Sequence, residues 1–348
     1  MLIGTDRTIF SPDSAVRRRL ALFGSTYTEA LNSIVFSARS HGIKKEQELA
    51  PKVHAYPTNS RSRLLYGWDA LRIARHISRP DLVSTQDPFE TGLAGLFISR
   101  RYGVPLAVEI HTDFLAPSFV QHSMLNRLRV RMAGHVLRHA KGGYTVSQKI
   151  RDAVFARYHL QLEVLPIYTD TTRFASLTHT KHPRFKTALL WVGRMEKEKN
   201  PELALDALVV ARRAGFEVGI TFVGNGRLKT SLEAKAHEQN VSEWVEFVGM
   251  IPDPLPYYAS ADLLLVTSEY EGYGMVIVEA LAAKVPVLST DVGIAREAGA
   301  IIADEDFTEA LSNWLSAPSG PGILRMHSYE NENAYFAEVA GFYNMLLS

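Results

Sequence analysis

Residues 263–280 read LLLVTSEYEGYGMVIVEA, which places an apolar strand, a glycine-rich turn and the start of a helix in succession. The opening apolar run is typical of a strand buried on both faces of a parallel sheet. Glu271 lies in the turn, and Glu279 follows in a helix predicted to begin near Gly274. The amino end of that helix attracts anions, and the two carboxylates can accept hydrogen bonds from sugar hydroxyls. The stretch predicts a site for both parts of a nucleotide sugar; a tight turn beside a surface glutamate is the structural alternative.

The rest of the chain alternates short apolar stretches with helical patterns, which indicates parallel sheets covered by helices. In the first half, strands are predicted at residues 2–4, 52–56, 81–85, 106–111, 143–146 and 163–167. In the second half, strands are predicted at residues 187–192, 218–223, 245–248, 262–266 and 285–289. The helices predicted between them include residues 15–23, 68–76, 125–139 and 228–237, and one that follows Asn200-Pro201.

The polar run 169–172 interrupts this alternation and suits a hinge. A length of 348 residues also favours two domains. We therefore predict an α/β fold of two Rossmann-like, doubly wound parallel-sheet domains, residues 1–168 and residues 169–329. A final helix over about 330–348 can pack back on the first domain. Ligands of such sheets bind beyond the carboxyl ends of the strands, so a cleft between the domains is the expected active site.

Composition excludes several classes of protein. A formal net charge of +1 argues against bulk binding of nucleic acid. The absence of cysteine excludes disulfides, thiolate nucleophiles and cysteine-ligated zinc, and the histidines are not grouped at metal-ligand spacing, so no metal site is expected. The first ten residues lack the pattern of a signal peptide, and no apolar run approaches the ~20 residues of a membrane span. These observations predict a soluble, cytoplasmic protein.

Two further motifs follow buried strands of the second half. Residues 193–201 read GRMEKEKNP, in which Gly193 lets a ligand approach the backbone. A forked guanidinium at Arg194 and a point-charge ammonium at Lys199 suit a diphosphate; the alternative is a solvated, charged turn. Gly224 and Gly226 end the next strand and leave room for a bound group, although a simple strand-to-helix turn has the same pattern.

Together, these motifs resemble those of the retaining GT-B glycosyltransferases of family 4. Glu271 and Glu279 match the Glu-x7-Glu pair of that family, and Arg194 and Lys199 match its Gly-Arg-x4-Lys pattern. The resemblance covers roughly residues 166–303 well and the first half loosely.

Two shorter segments strengthen the resemblance. Residues 170–174 resemble the Asp-x3-Phe segment that follows the hinge in the family. Residues 289–293 resemble its Thr-Asp-Val-Gly-Gly turn, with Ile294 in place of the second glycine. Several matches in the right order are more specific than any one of them alone.

The resemblance implies a hexosyltransferase that uses a nucleotide diphosphate sugar, with UDP or GDP as the nucleotide, and retains the anomeric configuration. It implies no cofactor and no metal. Glu271 would act in catalysis by contacting the donor sugar. The diphosphate would be bound by Arg194, Lys199, Gly274, Met275 and Val276. The nucleotide would be bound by Glu279, Gly193, Gly224, Gly226, Met250 and Ile251. The first domain would then be the acceptor side, and the second would bind the donor.

In the first half, EIHTDF at residues 109–114 resembles the family's histidine-containing segment that faces the donor sugar. His111 would be catalytic there and would support the charge that develops at the anomeric carbon; a capping histidine is the alternative. The chain departs from the family after the first strand, where residues 4–14 contain one glycine instead of a glycine-rich loop. Asp13 and Ser14 lie on this acceptor-side loop and are also candidate caps for the next helix.

The segment 124–157 is basic, and Leu125, Leu128, Met132 and Val136 recur within it at helical spacing. Such a helix can lie on an anionic membrane surface, which would place the protein at the inner membrane face. The alternative is an ordinary helix packed on the sheet with a solvated basic face.

Three functions remain open at this point. The first is hexosyl transfer to a glycan or lipid acceptor. The second is a nucleotide-sugar epimerase or a phosphorylase on the same fold, and the third is a non-catalytic protein that binds sugar nucleotides. The nearly full set of charged donor-site residues favours an enzyme.

Overall fold

The computed structural model describes residues 1–43, 45–326 and 329–348. It divides into two compact units. The first contains residues 1–166 and 330–348, and the second contains residues 167–329. The division lies at 166/167, beside the predicted boundary at 168/169, and the last helix belongs to the first unit.

The sheet of the first unit has the strand order β3-β4-β2-β1-β5-β6-β7-β8, in which neighbours are parallel except for the antiparallel pair β3 and β4. The strands are β1 Leu2–Gly4, β2 Leu31–Val35, β3 Gln47–Ala50, β4 Val53–Pro57, β5 Val83–Thr85, β6 Leu106–Ile110, β7 Gly142–Thr145 and β8 Glu163–Val164. The helices that precede the second unit are α1 Ala15–Tyr27, α2 Tyr66–Ala74, α3 Glu90–Tyr102, α4 Pro117–His122, α5 Met124–Leu137 and α6 Gln148–Tyr158. Short 3₁₀ helices span Arg7–Phe10, Arg39–His41 and Arg63–Leu65.

The sheet of the second unit is parallel, with the order β11-β10-β9-β12-β13-β14. Its strands are β9 Thr187–Val192, β10 Val218–Val223, β11 Val245–Gly249, β12 Leu263–Val266, β13 Val287–Ser289 and β14 Ile301–Ile302. Its helices are α7 Thr172–Ala175, α8 Pro201–Arg213, α9 Lys229–Glu238, α10 Leu255–Ala259, α11 Met275–Ala282, α12 Ala295–Ala298 and α13 Phe307–Ser316. Two 3₁₀ helices span Lys197–Lys199 and Ser242–Trp244.

Burial explains why the strands of the second unit are so apolar. Every residue of β10 and β12 is buried, because helices cover both faces of the sheet. Phe222 packs against Trp191 with ring centroids 5.5 Å apart, and Leu205 and Leu208 of α8 lie in the same core cluster. This core fixes the carboxyl ends of the strands, from which the predicted site residues extend.

The last helix, α14 Glu332–Leu347, packs on the first unit. Its Phe336 ring meets Phe23 of α1 edge-on at 5.7 Å. Tyr343 Oη of the same helix lies 3.1 Å from Ser84 Oγ at the middle of β5. The chain therefore returns to its first unit after completing the second.

Several strands have the predicted bounds, among them β1, β9 and β10. The predicted strands 163–167 and 285–289 were too long, since β8 ends at Val164 and β13 begins at Val287. Proline explains both corrections. Pro166 and Pro286 have no N–H to donate to a ladder, and each stands at the end that the structure trims.

Candidate active site

The donor-site candidates of the second unit lie where the strand order of its sheet reverses. From β9 the chain proceeds to β10 and β11 on one side, whereas from β12 it proceeds to β13 and β14 on the other. The loops after β9 and β12 therefore diverge and leave a crevice between them, which is where ligands of such sheets bind. We call this place the switch point.

A contact between the two diverging loops brings the two main motifs together. The Lys199 ammonium, which follows β9, contacts Oε1 of Glu271, which follows β12. Ser268 Oγ donates to the same carboxylate oxygen at 2.8 Å. The side chains of Lys199 and Glu271 are 23% and 13% exposed, so the pair is largely shielded from water. The shielding makes their attraction stronger than that of a surface pair.

Backbone contacts hold these loops in place. Thr267 Oγ1 donates to the carbonyl of Lys199 at 3.1 Å, and Trp191 Nε1 donates to Thr267 Oγ1 at 3.1 Å. The N–H of Glu269 donates to the carbonyl of Glu198 at 2.8 Å. The Lys199–Glu271 contact is thus built on a fixed frame, as a binding site needs to be.

Arg194 lies on the same loop but is far more open. Its side chain is 68% exposed, and Nη2 donates to Oε1 of Glu198 at 2.8 Å. The Glu198 side chain is 16% exposed, so the pair is open to solvent on the arginine side only.

Helix α11 presents its amino end beside this pair of loops. Gly274 is the residue before the helix and has φ +101°, a conformation that side chains disfavour. The first amides of the helix, at Met275 and Val276, precede any intrahelical acceptor. The neighbouring turn packs closely, since the N–H of Ile294 donates to the carbonyl of Tyr273 at 2.9 Å. The arrangement can bind an anion.

Glu279 is held by a tyrosine that sequence reasoning missed. Tyr258 is fully buried in α10, and its Oη donates to Oε2 of Glu279 at 2.7 Å. Burial raises the pKa of the Glu279 carboxyl, and the hydrogen bond from Tyr258 partly offsets this effect. Phe174 packs edge-on against Tyr258 at 5.3 Å. The predicted segment 170–174 therefore supports Glu279 through two aromatic side chains; nothing in the sequence of α10 indicated this role.

The glycines of the predicted nucleotide pocket lie at the ends of β9, β10 and β11. Gly224 has φ +135°, and a Cβ there would lie 1.9 Å from the carbonyl oxygen of Gly193. Its N–H donates to the carbonyl of Gly249 at 2.8 Å. Gly226 packs on the backbone of Met195, where a Cβ would lie 2.4 Å from the carbonyl oxygen. No side chain fits at these positions, which keeps the three strand ends close together.

The remaining nucleotide-pocket candidates follow β11. Met250 is 80% exposed, and Ile251 is half-buried. All the donor-site candidates thus lie along one edge of one sheet. His111, Asp13 and Ser14 lie in the first unit.

In the first unit, His111 follows β6 and has a buried carboxylate as its partner. His111 Nε2 lies 3.4 Å from Oε2 of Glu109. Glu109 Oε1 accepts from Ser84 Oγ at 2.8 Å and from Tyr343 Oη at 2.9 Å. Burial opposes ionisation of Glu109, but hydrogen bonding and the charge of His111, with the hydrogen bonds of Ser84 and Tyr144, hold its pKa below the usual value. Sequence reasoning assigned Glu109 no role, although a charged residue in the apolar strand LAVEI was a signal.

The acceptor-side loop contains a capped 3₁₀ helix. Ser14 Oγ accepts from the N–H of Arg17 at 3.4 Å, so Ser14 is the cap of α1. Asp13 is exposed, and its carbonyl accepts from Arg18 at 2.8 Å. Asp113, in the segment 109–114 of the same unit, accepts from the N–H of Ala116 at 3.1 Å.

The basic segment does not form the single apolar stripe predicted from its sequence. Val136 is buried, whereas Leu125 and Leu128 are each 50% exposed. The reason is that Val130, Ala133 and Leu137 supply the buried face of α5. Met124 is 75% exposed at the start of the helix. Apolar side chains thus lie on both faces of this helix.

Two absences apply to the part of the chain that the structure describes. None of its helices is both long enough and apolar enough to span a bilayer. None of its histidines, aspartates and glutamates form a group of three suited to hold a metal ion.

Comparison with known proteins gives matches in both halves of the chain. A family model described as glycosyl transferases group 1 matches residues 186–317. A second, described as glycosyltransferase family 4, matches residues 31–173. The alpha-monoglucosyldiacylglycerol synthase of Streptococcus pneumoniae is 26% identical over 239 residues, which cover 63% of this chain and 54% of that protein. The chain spans about half the length of the curated relatives that it matches.

Solved structures share the fold over nearly the whole chain. The sucrose-phosphate synthase of Thermosynechococcus elongatus has a TM-score of 0.75 at 17% identity and covers 99% of both chains. HepE of Anabaena, solved with UDP and glucose, has a TM-score of 0.66 at 18% identity and covers 98% of this chain and 94% of that one. The fold is therefore GT-B, with two parallel-sheet α/β domains as predicted. The family matches and the fold together support a GT-B glycosyltransferase.

Removing the Tyr258 hydroxyl tests how Glu279 is held. In Tyr258→Phe we expect the pKa of Glu279 to rise further, because the group that offsets burial is gone. A carboxyl whose pKa is raised by folding stabilises the protein only while protonated, and this stability is lost as pH rises above the ordinary glutamate range. The melting temperature of Tyr258→Phe should therefore fall more steeply with rising pH than that of the parent.

The pKa itself can be followed by a carboxyl-carbon NMR titration of Glu279. Tyr257→Phe removes a hydroxyl from the neighbouring residue of α10 and is the matched control. Equal Glu279 pKa values in the parent and Tyr258→Phe would show that the hydrogen bond has no influence on this carboxyl.

Proposed function

We propose that this chain, a GT-B glycosyltransferase by fold and family match, transfers a hexosyl group from a UDP- or GDP-sugar to a glycan or lipid acceptor with retention of configuration. The observation that carries the proposal is the shielded Lys199–Glu271 contact at the switch point, beside the amino end of α11. A cation, a set of free amides and a fixed carboxylate at one place suit a diphosphate joined to a sugar.

Lys199 and Arg194 bind the diphosphate in this proposal. The guanidinium of Arg194 is exposed beside Glu198, and Lys199 has two further N–H donors besides the one that meets Glu271. The amides of Met275 and Val276 contribute from the helix end. As the bond to the sugar breaks, negative charge grows on the leaving diphosphate, and these groups stabilise it. The scheme uses no cofactor and no metal.

Glu271 and Glu279 recognise the two ends of the donor. Ser268 and Lys199 occupy Oε1 of Glu271, which leaves Oε2 to accept from a hydroxyl of the donor sugar. Tyr258 occupies Oε2 of Glu279, which leaves Oε1 to accept from the ribose. Each glutamate is thus fixed by one oxygen and free to accept with the other.

His111 supports the charge that develops at the anomeric carbon, and Glu109 positions its ring. Contact with a buried carboxylate favours the tautomer of His111 in which Nε2 is protonated and donates to Glu109. Nδ1 is then the ring atom that can accept from the substrate.

The donor site is tested by substitution at three positions. We expect Lys199→Ala, Arg194→Ala and Glu271→Gln each to lower the rate of hexosyl transfer by about 100-fold, the usual loss for one electrostatic group at a transition state. Lys197→Ala, an exposed lysine two residues before Lys199, is the control and should keep the parental rate. Transfer or hydrolysis of UDP-glucose and GDP-mannose, followed by release of the nucleotide, is the measurement.

The products separate this proposal from its alternatives. An altered sugar still attached to its nucleotide would indicate an epimerase, and a sugar phosphate formed only with added phosphate would indicate a phosphorylase. Donors that raise the melting temperature without any turnover would indicate a binding protein.

The role of Glu109 is tested by comparing the effect of its substitution on kcat with the effect on KM for the donor. Glu109→Gln should lower kcat about tenfold or more, as is typical for a residue that orients a functional histidine, and leave KM for the donor unchanged. His111→Asn should cost at least as much, and the double variant should cost little more than His111→Asn alone. An additive double variant would separate Glu109 from His111. The control is Glu163→Gln, an exposed glutamate of β8.

We also propose peripheral contact with the inner membrane face through α5, in a protein that is otherwise cytoplasmic. Met124, Leu125 and Leu128 are exposed, and Arg127 and Arg131 are exposed on the same helix. Apolar side chains among arginines suit an anionic bilayer surface.

Sedimentation with lipid vesicles measures this contact. The parent should bind vesicles of phosphatidylglycerol more tightly than those of phosphatidylcholine, and Arg127→Gln/Arg131→Gln should weaken binding about fivefold per arginine. Arg100→Gln/Arg101→Gln changes two exposed arginines of α3 and is the control. Equal sedimentation with both lipids would contradict the proposal.

A further inference from the structure

Three neighbouring strands of the first unit end level with one another. Gly4 of β1 pairs with Val35 of β2, and Val35 pairs with Pro57 of β4. The strands are parallel, so the loops that follow them emerge at one edge of the sheet. This is the edge on which the predicted acceptor-side loop lies.

These three loops carry a cluster of basic side chains, which we call the basic edge. Its members are Arg7 after β1, Arg39 and His41 after β2, and Arg61 and Arg63 after β4. The four arginines are exposed, and within the described residues none of them forms an ion pair with a carboxylate. Asp6, the acid nearest in sequence, caps the 3₁₀ helix by accepting from the N–H of Thr8 at 2.9 Å. Within the described residues, no carboxylate of these loops therefore pairs with an arginine of the basic edge.

Contacts at His41 show that the loops after β1 and β2 meet. Arg7 Nη1 lies 3.0 Å from His41 Nδ1, and the N–H of Ala38 donates to the same nitrogen at 2.9 Å. Nδ1 therefore acts as an acceptor, and His41 is neutral. Desolvation and the charges of Arg7 and Arg63 lower the pKa of His41, so both guanidinium groups act on one ring. Like charges repel unless an anion lies between them.

The loops are also held in a fixed shape. The N–H of Arg39 donates to the carbonyl of Ser60 at 3.0 Å, and the N–H of Ser60 donates to the carbonyl of Ser37 at 2.8 Å. Thr58 Oγ1 donates to the same Ser37 carbonyl at 2.9 Å. A cationic surface on loops held by these hydrogen bonds suits a polar anion.

We infer that the basic edge binds a phosphate group of the acceptor. The inference rests on the proposed function, which makes the first unit the acceptor side. In the sheet, β5 alone separates β1 from β6, after which His111 stands. Strands lie about 4.8 Å apart, so a phosphate at Arg7 or His41 is roughly 10–15 Å from His111 along the sheet. That distance is filled by one or two sugar rings, so the acceptor class is a phosphorylated sugar or a sugar on a phospholipid.

The test measures phosphate binding apart from catalysis. In full-length protein carrying Arg194→Ala/Lys199→Ala, which removes the donor-site cations, glucose 6-phosphate binding is measured by calorimetry and compared with glucose. Adding Arg7→Gln/Arg63→Gln should weaken binding of glucose 6-phosphate by about tenfold or more per arginine, the usual loss for a charge-assisted hydrogen bond. Adding Arg100→Gln/Arg101→Gln, which changes the same charge at the end of α3, should leave it unchanged. Circular dichroism and the melting temperature confirm that the exposed substitutions leave the fold intact.

A lipid arm identifies the source of the phosphate. Vesicles of phosphatidylglycerol bound in a manner that depends on Arg7 and Arg63, without binding of glucose 6-phosphate, would support a lipid-borne phosphate. No binding of either probe, or equal binding in the Arg7→Gln/Arg63→Gln variant, would overturn the inference. Donor hydrolysis by the Arg7→Gln/Arg63→Gln protein with native Arg194 and Lys199 is measured in parallel. If the parent itself shows no donor hydrolysis, the proposed function is refuted. Phosphate binding, in contrast, reports on the basic edge alone.

Discussion

The switch point of the second unit depends on one partly buried contact, that of Lys199 with Glu271. A shielded cation is costly unless a carboxylate meets it, and removing either partner would leave the other uncompensated. The two residues come from strands that the chain visits far apart, so the contact also fixes the loops that diverge at the switch point. Thr267, Ser268 and Glu198 form further hydrogen bonds in the same two loops, which follow β9 and β12. Binding and local order have the same origin here.

The first unit is organised around a different buried charge. Glu109 lies near the carboxyl end of β6. Its carboxylate contacts Ser84 of β5, His111 just after β6 and Tyr343 of α14. Such a network is favourable only when every member is present. The apolar packing of Phe336 on Phe23 holds that helix in place. Hydrophobic burial therefore positions the tyrosine that completes a polar site.

Sequence reasoning succeeded where a pattern was local. The strands β9 and β10, the cap and proline of α8, and the glycine before α11 were read from short runs of residues. It failed where partners are distant in sequence. Tyr258 contacts Glu279 and Tyr343 contacts Glu109 only after the chain has folded. The residues next to each tyrosine in sequence do not indicate these contacts. The strand β2 was missed because LNSIV mixes polar and apolar residues. The buried face of the basic helix could not be predicted from its large apolar residues alone, because the small residues Ala133 and Gly134 supply part of it.

The route of the chain has a consequence for the order of synthesis. The second unit is one continuous stretch, so all its strands and helices are present once residue 329 has left the ribosome. The first unit begins earlier and finishes later, because α14 is translated after the second unit. Until α14 is made, Phe23 lacks its contact with Phe336, and Glu109 lacks its hydrogen bond from Tyr343. In a nascent chain, the second unit is therefore complete while the first unit still lacks α14. A premature stop codon after residue 329 would remove α14 and leave the first unit incomplete.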